Sequence, residues 1–450
     1  MTLPLQAPAE DDAAQAPLAP AATGGWYRWY VVFALAVVYA FNVIDRNFLS
    51  LLQEPIKKEL HLSDAQLGSL TGLAFAVFYA TLAIPIARIA DRSSRKVVVS
   101  VAIGLWSLMT AVSGMATSYI MLLLARMGVG VGEAGGYPPS ASILADYFGR
   151  DRRATALAIF GIGAPIGGML GLFLGGWLNG LFGWRLAFII IGAAGMLIAP
   201  IILLTVREPR RGSADIGNDA LDDASRAGIL DVAKVLWRLK AYRFLLAANM
   251  MHGFALYAYS AWTPPFYSRV FHLPTDKIGL YLGILAGVGG LGTYMGGVLS
   301  DRLGRKDPRW YVWVPGVAAA LALPTAIIQF MAGNLQLSLA MAIFPSFFLY
   351  VFVGPTIAIG QSMVLPHMRA TTSAITLMTY NIFGLGLGPF MVGLLSDYLR
   401  QHTGLGVESL RFAIPAAVLL EAVAAVFYFF SGRLLEGNLE RDRRKDFAKA

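Results

Sequence analysis

The sequence has 450 residues, is 57% hydrophobic and only 14% charged, carries a formal net charge of +9 and contains no cysteine. Globular domains carry about 25% charged residues, so a chain this long and this poor in charge cannot cover itself for water, and its solvent is lipid. The missing cysteine excludes disulfides, thiolate metal sites and cysteine nucleophiles.

Residues 1–25 are mostly Ala, Pro and acids, without the basic start and apolar core of a signal peptide, and read as a disordered cytoplasmic tail. A helix needs about 20 apolar residues to cross a bilayer. Twelve such runs follow, at 27–52, 66–89, 97–117, 119–147, 154–180, 185–206, 243–270, 277–299, 310–332, 335–365, 370–398 and 410–432. The connections are short except for 207–242, a polar stretch with Pro209, Gly212, Ser213 and Asp215. Its segment 228–240 is amphipathic and suits a helix lying along a membrane surface. The expected fold class is an all-α integral membrane protein with twelve transmembrane helices in two six-helix pseudo-symmetric halves. The halves are placed at 26–206 and 243–433, with a basic tail at 434–450.

Lysine and arginine set the orientation. With both termini in the cytoplasm, that side holds Arg92, Arg95, Lys96, Arg150, Arg152, Arg153, Arg302, Arg305, Lys306, Arg309 and the tail cluster Arg441, Arg443, Arg444 and Lys445. The other side keeps only Lys57, Lys58, Arg185, Arg269, Lys277, Arg400 and Arg411. This bias fixes both termini on the cytoplasmic side and accounts for the basic balance without a nucleic-acid partner.

The two halves repeat. Ala87-Arg88-Ile89-Ala90-Asp91-Arg92-Ser93-Ser94-Arg95-Lys96 follows the second run, and Gly297-Val298-Leu299-Ser300-Asp301-Arg302-Leu303-Gly304-Arg305-Lys306 follows the eighth. Basic anchoring of helix ends explains the arginines but not the same Asp-Arg-x-x-Arg-Lys order twice. In these loops the chain resembles the major facilitator superfamily, whose signature Gly-x-x-x-Asp-Arg-x-Gly-Arg-Lys is complete at 297–306 and has Ala87 and Ser94 in place of glycine in the first copy. The run Gly161, Gly163, Pro165, Gly167, Gly168 and Gly171 in the fifth helix is a second mark of that family, and equally a close-packing surface. Helix starts expose unpaired amides and partial positive charge. Asp91 is therefore expected to cap the eleventh helix near Ala370–Thr372, and Asp301 the fifth near Ala154–Thr155. With Arg92, Arg95, Arg302 and Arg305 these would form a conformational latch between halves.

Ionisable groups in hydrocarbon are costly and usually functional. Helix one carries Asp45 and Arg46, and helix four carries Arg126 and Glu133 on one face, two turns apart. Matching depths predicts an Asp45–Arg126 ion pair, with Glu133 nearer the midplane and open to a central cavity. Such a set either fixes helix packing as a buried ion pair or forms a substrate-binding and proton-coupling site, with the arginines holding an anionic group. Asn42, Tyr380, Asn381, Phe254 and Tyr257 are candidate cavity-lining residues. His252 has no visible carboxylate partner and is expected to be packed, and Glu421 to sit at a helix contact. One charged wall and one aromatic wall suit an amphiphile with an anionic head.

Asn42-Val-Ile-Asp45-Arg46-Asn-Phe-Leu49, Gly130-Val-Gly132-Glu133-Ala134 and Ile143-Leu-Ala145-Asp146-Tyr-Phe148 resemble the spinster branch of the superfamily, as a bacterial homologue. That resemblance implies movement of sphingolipid-derived or lysophospholipid-type molecules driven by a proton gradient, with Asp45, Arg46, Arg126 and Glu133 as the site. Asn-x-x-Asp-Arg in helix one also resembles the anion:cation symporter branch, which implies small organic anions instead. A lipid-modifying enzyme is disfavoured: the five histidines have no metal-ligand spacing and no phosphate loop is present, so no metal or cofactor is expected.

Overall fold

The computed structural model describes residues 25–210, 229–365 and 368–447. Span one is Gly25–Leu60 and span two runs through Asp64–Gly68, Ser69–Leu73 and Ala74–Arg92. Span three is Arg95–Gly114 and span four is Tyr119–Glu133 with Tyr137–Tyr147. Span five begins at Arg150–Gly161 and continues into the helix Gly163–Thr205, whose later part is span six. At about 1.5 Å per residue those 43 residues exceed one bilayer crossing. The chain turns at Gly183, whose φ of 76° is one a glycine adopts without steric cost.

The second half repeats the plan. Span seven is Lys240–Val270, span eight Thr275–Gly304 and span nine Trp310–Met331. Span ten is Leu335–Phe348 with Val353–Ser362, span eleven Arg369–Tyr380, Asn381–Leu387 and Gly388–His402, and span twelve Ser409–Val418 with Leu420–Phe447. Nine of the described helices are long and apolar enough to cross a membrane as single units. Spans five and six count as one of these, span four is interrupted at Gly135–Gly136, and span seven is diluted by Asn249, His252, four tyrosines and two prolines. The short helix Ile229–Arg238 buries Val232 and Leu236 against the second half and leaves Leu230 and Trp237 exposed.

Pseudo-symmetry extends to side chains. Arg185, at the start of span six, donates from Nη1 to the carbonyls of Gly114 and Ala116 at 3.2 and 2.6 Å. Arg411, at the start of span twelve, does the same to Phe330 and Ala332 at 2.9 and 2.7 Å. Each arginine satisfies carbonyls left orphaned at the end of a neighbouring span.

Glycines set the helix separations that place the site. Gly163, Gly167 and Gly171 lie one turn apart on span five and press on the span-one backbone at Ala36, Ala40 and Ile44. A methyl at Gly167 would collide with the Ala40 carbonyl, whereas Gly161 has nothing within 4 Å. Gly167→Ala is expected to cost roughly 1–3 kcal/mol through overpacking, read as a lower unfolding temperature in detergent. Gly161→Ala should leave that temperature unchanged or slightly raised, because alanine is the better helix former.

Candidate functional site

Span one is drawn into the centre of the first half by the glycine face of span five. Asp45 and Arg46 are consecutive on it, so their side chains diverge by about 100°. Asp45 turns toward spans three and four, where its Oδ2 lies 2.6 Å from Arg126 Nη1 and its Oδ1 accepts the Thr110 hydroxyl at 2.5 Å. Arg46 turns toward spans two and four. Its Nε donates to Glu133 Oε2 at 2.8 Å, with Nη2 also at 2.8 Å. The guanidinium lies over the rings of Phe75 and Tyr79, 4.6 and 4.9 Å from their centroids.

Two stacked ion pairs therefore occupy the two turns between Arg126 and Glu133. The expected Asp45–Arg126 contact is present, but Glu133 is not open to a cavity. It is fully buried against Arg46, and Arg46 is the member of the quartet that shows itself, with its side chain 22% exposed. Two helical turns leave room for a pair at each level, and the divergence of adjacent residues on span one supplies one partner to each. Gly130 and Gly132 let spans two and three reach the span-four backbone: a Cβ there would stand 2.8 Å from the Phe75 carbonyl and 2.7 Å from the Trp106 amide. Two atoms of the quartet, Glu133 Oε1 and Arg126 Nε, are buried without a hydrogen-bond partner.

The second half closes the other side of Arg46. Tyr257 and Tyr79 both interact electrostatically with its guanidinium. Tyr257 donates to Asn381 Oδ1 at 3.3 Å, and its ring packs 5.4 Å from that of Tyr380. Asn42 borders a small void beside Tyr39, Trp106, Tyr137 and Phe160. Phe254 departs from expectation, bordering a separate apolar cavity of about 440 Å³ with Met391, Leu394, Leu395 and Tyr398, among spans seven, eleven and twelve. Tyr39, Phe75, Tyr79, Trp106 and Thr110 were not singled out in the sequence. Tyr39 stands seven residues before Arg46, the same helical spacing that joined Arg126 to Glu133, and that signal would have found it.

The halves meet at one end of the bundle and part at the other. At the end carrying Asp64, that buried carboxylate accepts from Arg269 Nη1 and Nη2 at 2.7 Å each and from the Ser396 hydroxyl at 2.7 Å, and also pairs with Lys57 and Arg400. Arg269 further donates from Nε to Glu54 at 2.6 Å. Asp397, from the second half, accepts the amides of Asp64 and Ala65 at 3.1 and 2.8 Å and so caps the first turn of span two. Lys57, Glu54 and Asp64 belong to the first half, and Arg269, Ser396, Asp397 and Arg400 to the second. Spans five and eight touch from Gly176 against Thr275 as far as Pro165 against Gly290, but Gly161 and Gly297 nearer the Asp301 end have nothing within 4 Å.

At the Asp301 end, the Asp301 part of the expected latch is not made in this conformation. Asp301 is exposed and accepts the Tyr311 hydroxyl of its own half at 2.8 Å, instead of capping span five. Arg95 is buried within the first half, donating to Glu208 at 2.8 Å and pairing with Asp146. Arg92, Arg302 and Arg305 are exposed, and the Asp91 side chain lies outside the described residues. Parting of the halves at this end is the reason, since a cap cannot reach across the opening. The Glu208 carboxyl is pushed up by partial burial, but the Lys96 amide, Arg95 and Ser94 outweigh that and hold it below the usual carboxylate range.

The sequence pattern that defines the Major Facilitator Superfamily matches residues 35–389. The crystal structure of a bacterial homologue of the human lysosomal transporter spinster, in an inward-facing and unoccupied conformation, superposes with a TM-score of 0.84. It is 32% identical and covers 92% of this chain and 99% of that one. The chain belongs to the Major Facilitator Superfamily, in its spinster branch.

As a superfamily member it is an integral membrane transporter and not an enzyme. An MFS-type efflux pump of Mycolicibacterium smegmatis is 34% identical over 90% of this chain and 92% of its own length. A sphingosine-1-phosphate transporter of Danio rerio is 27% identical over 80% of this chain and 74% of its own. In such a transporter the space between the halves is the place for substrate, because discontinuous spans and inward-facing polar groups meet there. Arg46, Tyr79, Tyr257, Tyr380 and Asn381 lie where the two halves face each other.

Among the described residues, one histidine and one carboxylate lie buried in the second half away from the Asp64 network, and they find each other. His252 Nδ1 lies 2.8 Å from Glu421 Oε2, and both side chains are fully buried. This corrects the expectation that His252 has no carboxylate partner. A lone buried charge costs more than a paired one, so span seven and span twelve meet at these two residues.

Proposed function

We propose that the transporter moves an anionic amphiphile of the sphingolipid-derived or lysophospholipid type by proton-coupled alternating access. The observation that carries this reading is the Arg46–Glu133 pair, with Arg46 partly exposed at the seam of the two halves and Glu133 wholly buried behind it. An anionic head arriving at Arg46 competes with Glu133 for the guanidinium. A buried carboxylate stripped of its cation takes a proton in preference to standing as an unpaired charge. Anion binding at Arg46 and proton binding at Glu133 therefore favour one another, which is a coupling of the two ligands. The Asp45–Arg126 pair, sealed below with Thr110, holds span four at the depth where Glu133 meets Arg46.

The apolar and aromatic surroundings of Tyr257 and Tyr380 supply a wall for a hydrocarbon tail. The name of the Danio rerio relative points to the same substrate class. The excess of basic residues at the Asp301 end supports a topology with that end, and both termini, in the cytoplasm, in the inner membrane of a bacterium. The conformation is then open to the cytoplasm. Closure would bring Asp91 and Asp301, with Arg92, Arg95, Arg302 and Arg305, to the helix starts of the opposite half.

Purified transporter screened by thermal shift should gain several degrees with lysophospholipids or phosphorylated sphingoid bases at concentrations well above Kd, since ligand at 100 times Kd adds about 2.7 kcal/mol. Short-chain organic anions should give little or no shift. A larger shift with the organic anions would overturn the amphiphile reading in favour of a small-anion carrier.

A further inference from the structure

His252 and Glu421 lie in the half that holds none of the four charges described above, and the transport cycle proposed for Arg46 and Glu133 makes no use of them. Both ring nitrogens of His252 are engaged: Nδ1 with Glu421 Oε2 at 2.8 Å, and Nε2 with the Leu349 carbonyl at 2.9 Å. A carbonyl only accepts, so Nε2 must carry a proton. The 2.8 Å contact on the other side of the ring then also needs a proton between nitrogen and oxygen. It rests either on an imidazolium facing a carboxylate or on a carboxylic acid facing a neutral ring. Both assignments contain the same two protons and the same net charge of zero. Remove the shared proton and two lone pairs face each other in a fully buried site, so one of the two contacts has to break.

The contact at risk lies at a joint. Leu349 begins the interruption of span ten, between Leu335–Phe348 and Val353–Ser362. The His252 ring packs on Phe352 at the other end of that interruption, with centroids 4.2 Å apart. Phe352 packs on Tyr380 at 5.4 Å, and Tyr380 packs on Tyr257 at 5.4 Å. The titratable groups facing the pair are all tyrosines. Tyr428 of span twelve lies 6.4 Å from the His252 ring, interacts with Glu421 and donates to Asn249 at 2.8 Å; Tyr380 of span eleven stands beyond Phe352. Among the described residues, the electrostatic partners of Glu421 are His252 and Tyr428.

We propose that His252 and Glu421 form a second proton-binding site, whose shared proton fastens the interruption of span ten to spans seven and twelve. The ligand is a proton, and the inference does not depend on the substrate or on the role of Glu133. Loss of the proton frees the Leu349–Phe352 joint and with it the packing of Phe352 behind Tyr380 and Tyr257.

Glu421→Gln separates the proton from the contacts. A glutamine amide donates to Nδ1 without a titrating proton, so the Nε2–H bond to Leu349 survives at every pH. Hydrogen exchange of the segment 349–356, corrected for the intrinsic rate, is expected to rise at least fivefold in the wild type as the pH is raised from 6 to 9.5, and to stay flat in Glu421→Gln. A flat wild-type profile, or the same rise in both proteins, overturns the proposal. A second readout needs no variant of the pair. In protein labelled with ¹⁵N-histidine, with the other four histidines removed in turn for assignment, His252 should be protonated on Nε2 throughout the lower part of that range. A neutral Nδ1–H tautomer there would overturn it as well.

Discussion

Glu133→Gln is expected to leave anionic ligand binding intact while abolishing accumulation against a proton gradient. Glutamine copies the protonated carboxyl, which no longer competes for Arg46 as a charge. A hydrogen bond to a charged group contributes about 1.5–3 kcal/mol, and 1.4 kcal/mol is tenfold in affinity. Ligand affinity above neutral pH should therefore rise roughly tenfold or more in the variant and lose its pH dependence. Uphill transport into proteoliposomes should fall to the level of facilitated exchange. Arg46→Gln is the opposite case. It removes the exposed cation, and the affinity for an anionic amphiphile should fall by about 10- to 100-fold at any pH. Transport by Glu133→Gln that still follows an imposed proton gradient would show that the coupling proton sits elsewhere. Unchanged affinity in Arg46→Gln would remove the anion from this site altogether.

Much of the architecture was readable because it depends on composition and period. Twelve apolar runs and the repeated Asp-Arg loops do not need three-dimensional information. The Asp45–Arg126 contact was reachable from depth alone, since both residues lie at the same level on facing helices. The Arg46–Glu133 contact was not, because it depends on how span four is rotated. That rotation is set by Gly130 against Phe75 and Gly132 against Trp106, contacts between spans that no periodicity within a span reveals. His252 and Glu421 are 169 residues apart, and neither has a neighbour in sequence that hints at the other. The usable signal was an energetic one: two solitary ionisable groups in one apolar half are each too costly alone, so pairing was the cheaper expectation. The Asp64 network was hidden for a different reason. In the sequence Lys57, Arg269 and Arg400 read as end-of-helix cations that set orientation, and nothing in the order of residues links them to Glu54, Asp64 and Asp397. Cross-half capping was anticipated as a device but assigned to the Asp301 end. In this conformation Asp397 performs it at the opposite end, on the first amides of span two.

Asp64→Asn should release the end of the bundle that is now shut. The carboxylate is buried beneath two cations of the second half, Arg269 and Arg400, and one of its own half, Lys57. Breaking a buried pair by removing one partner costs about 3–5 kcal/mol, whereas the conformations of an ensemble commonly differ by only a few kcal/mol. Shifting a two-state balance from 1:99 to 99:1 takes about 5.5 kcal/mol, so losing Asp64 is enough to move most of the population toward the state open at this end. The absence of cysteine makes the measurement direct. Ala261 is buried in span seven, and its carbonyl accepts from Gln53 of span one at 2.9 Å. A single cysteine at Ala261 should react with a membrane-impermeant maleimide at least tenfold faster when Asp64 is asparagine. Asp397→Asn, which keeps a capping side chain but loses its charge, should produce a smaller change, about fivefold or less, because a helix cap contributes about 1 kcal/mol. Equal labelling of Ala261→Cys with and without Asp64 would mean that apolar packing, from Gly72 on Gly386 and Gly176 on Thr275, holds this end shut without the ion network.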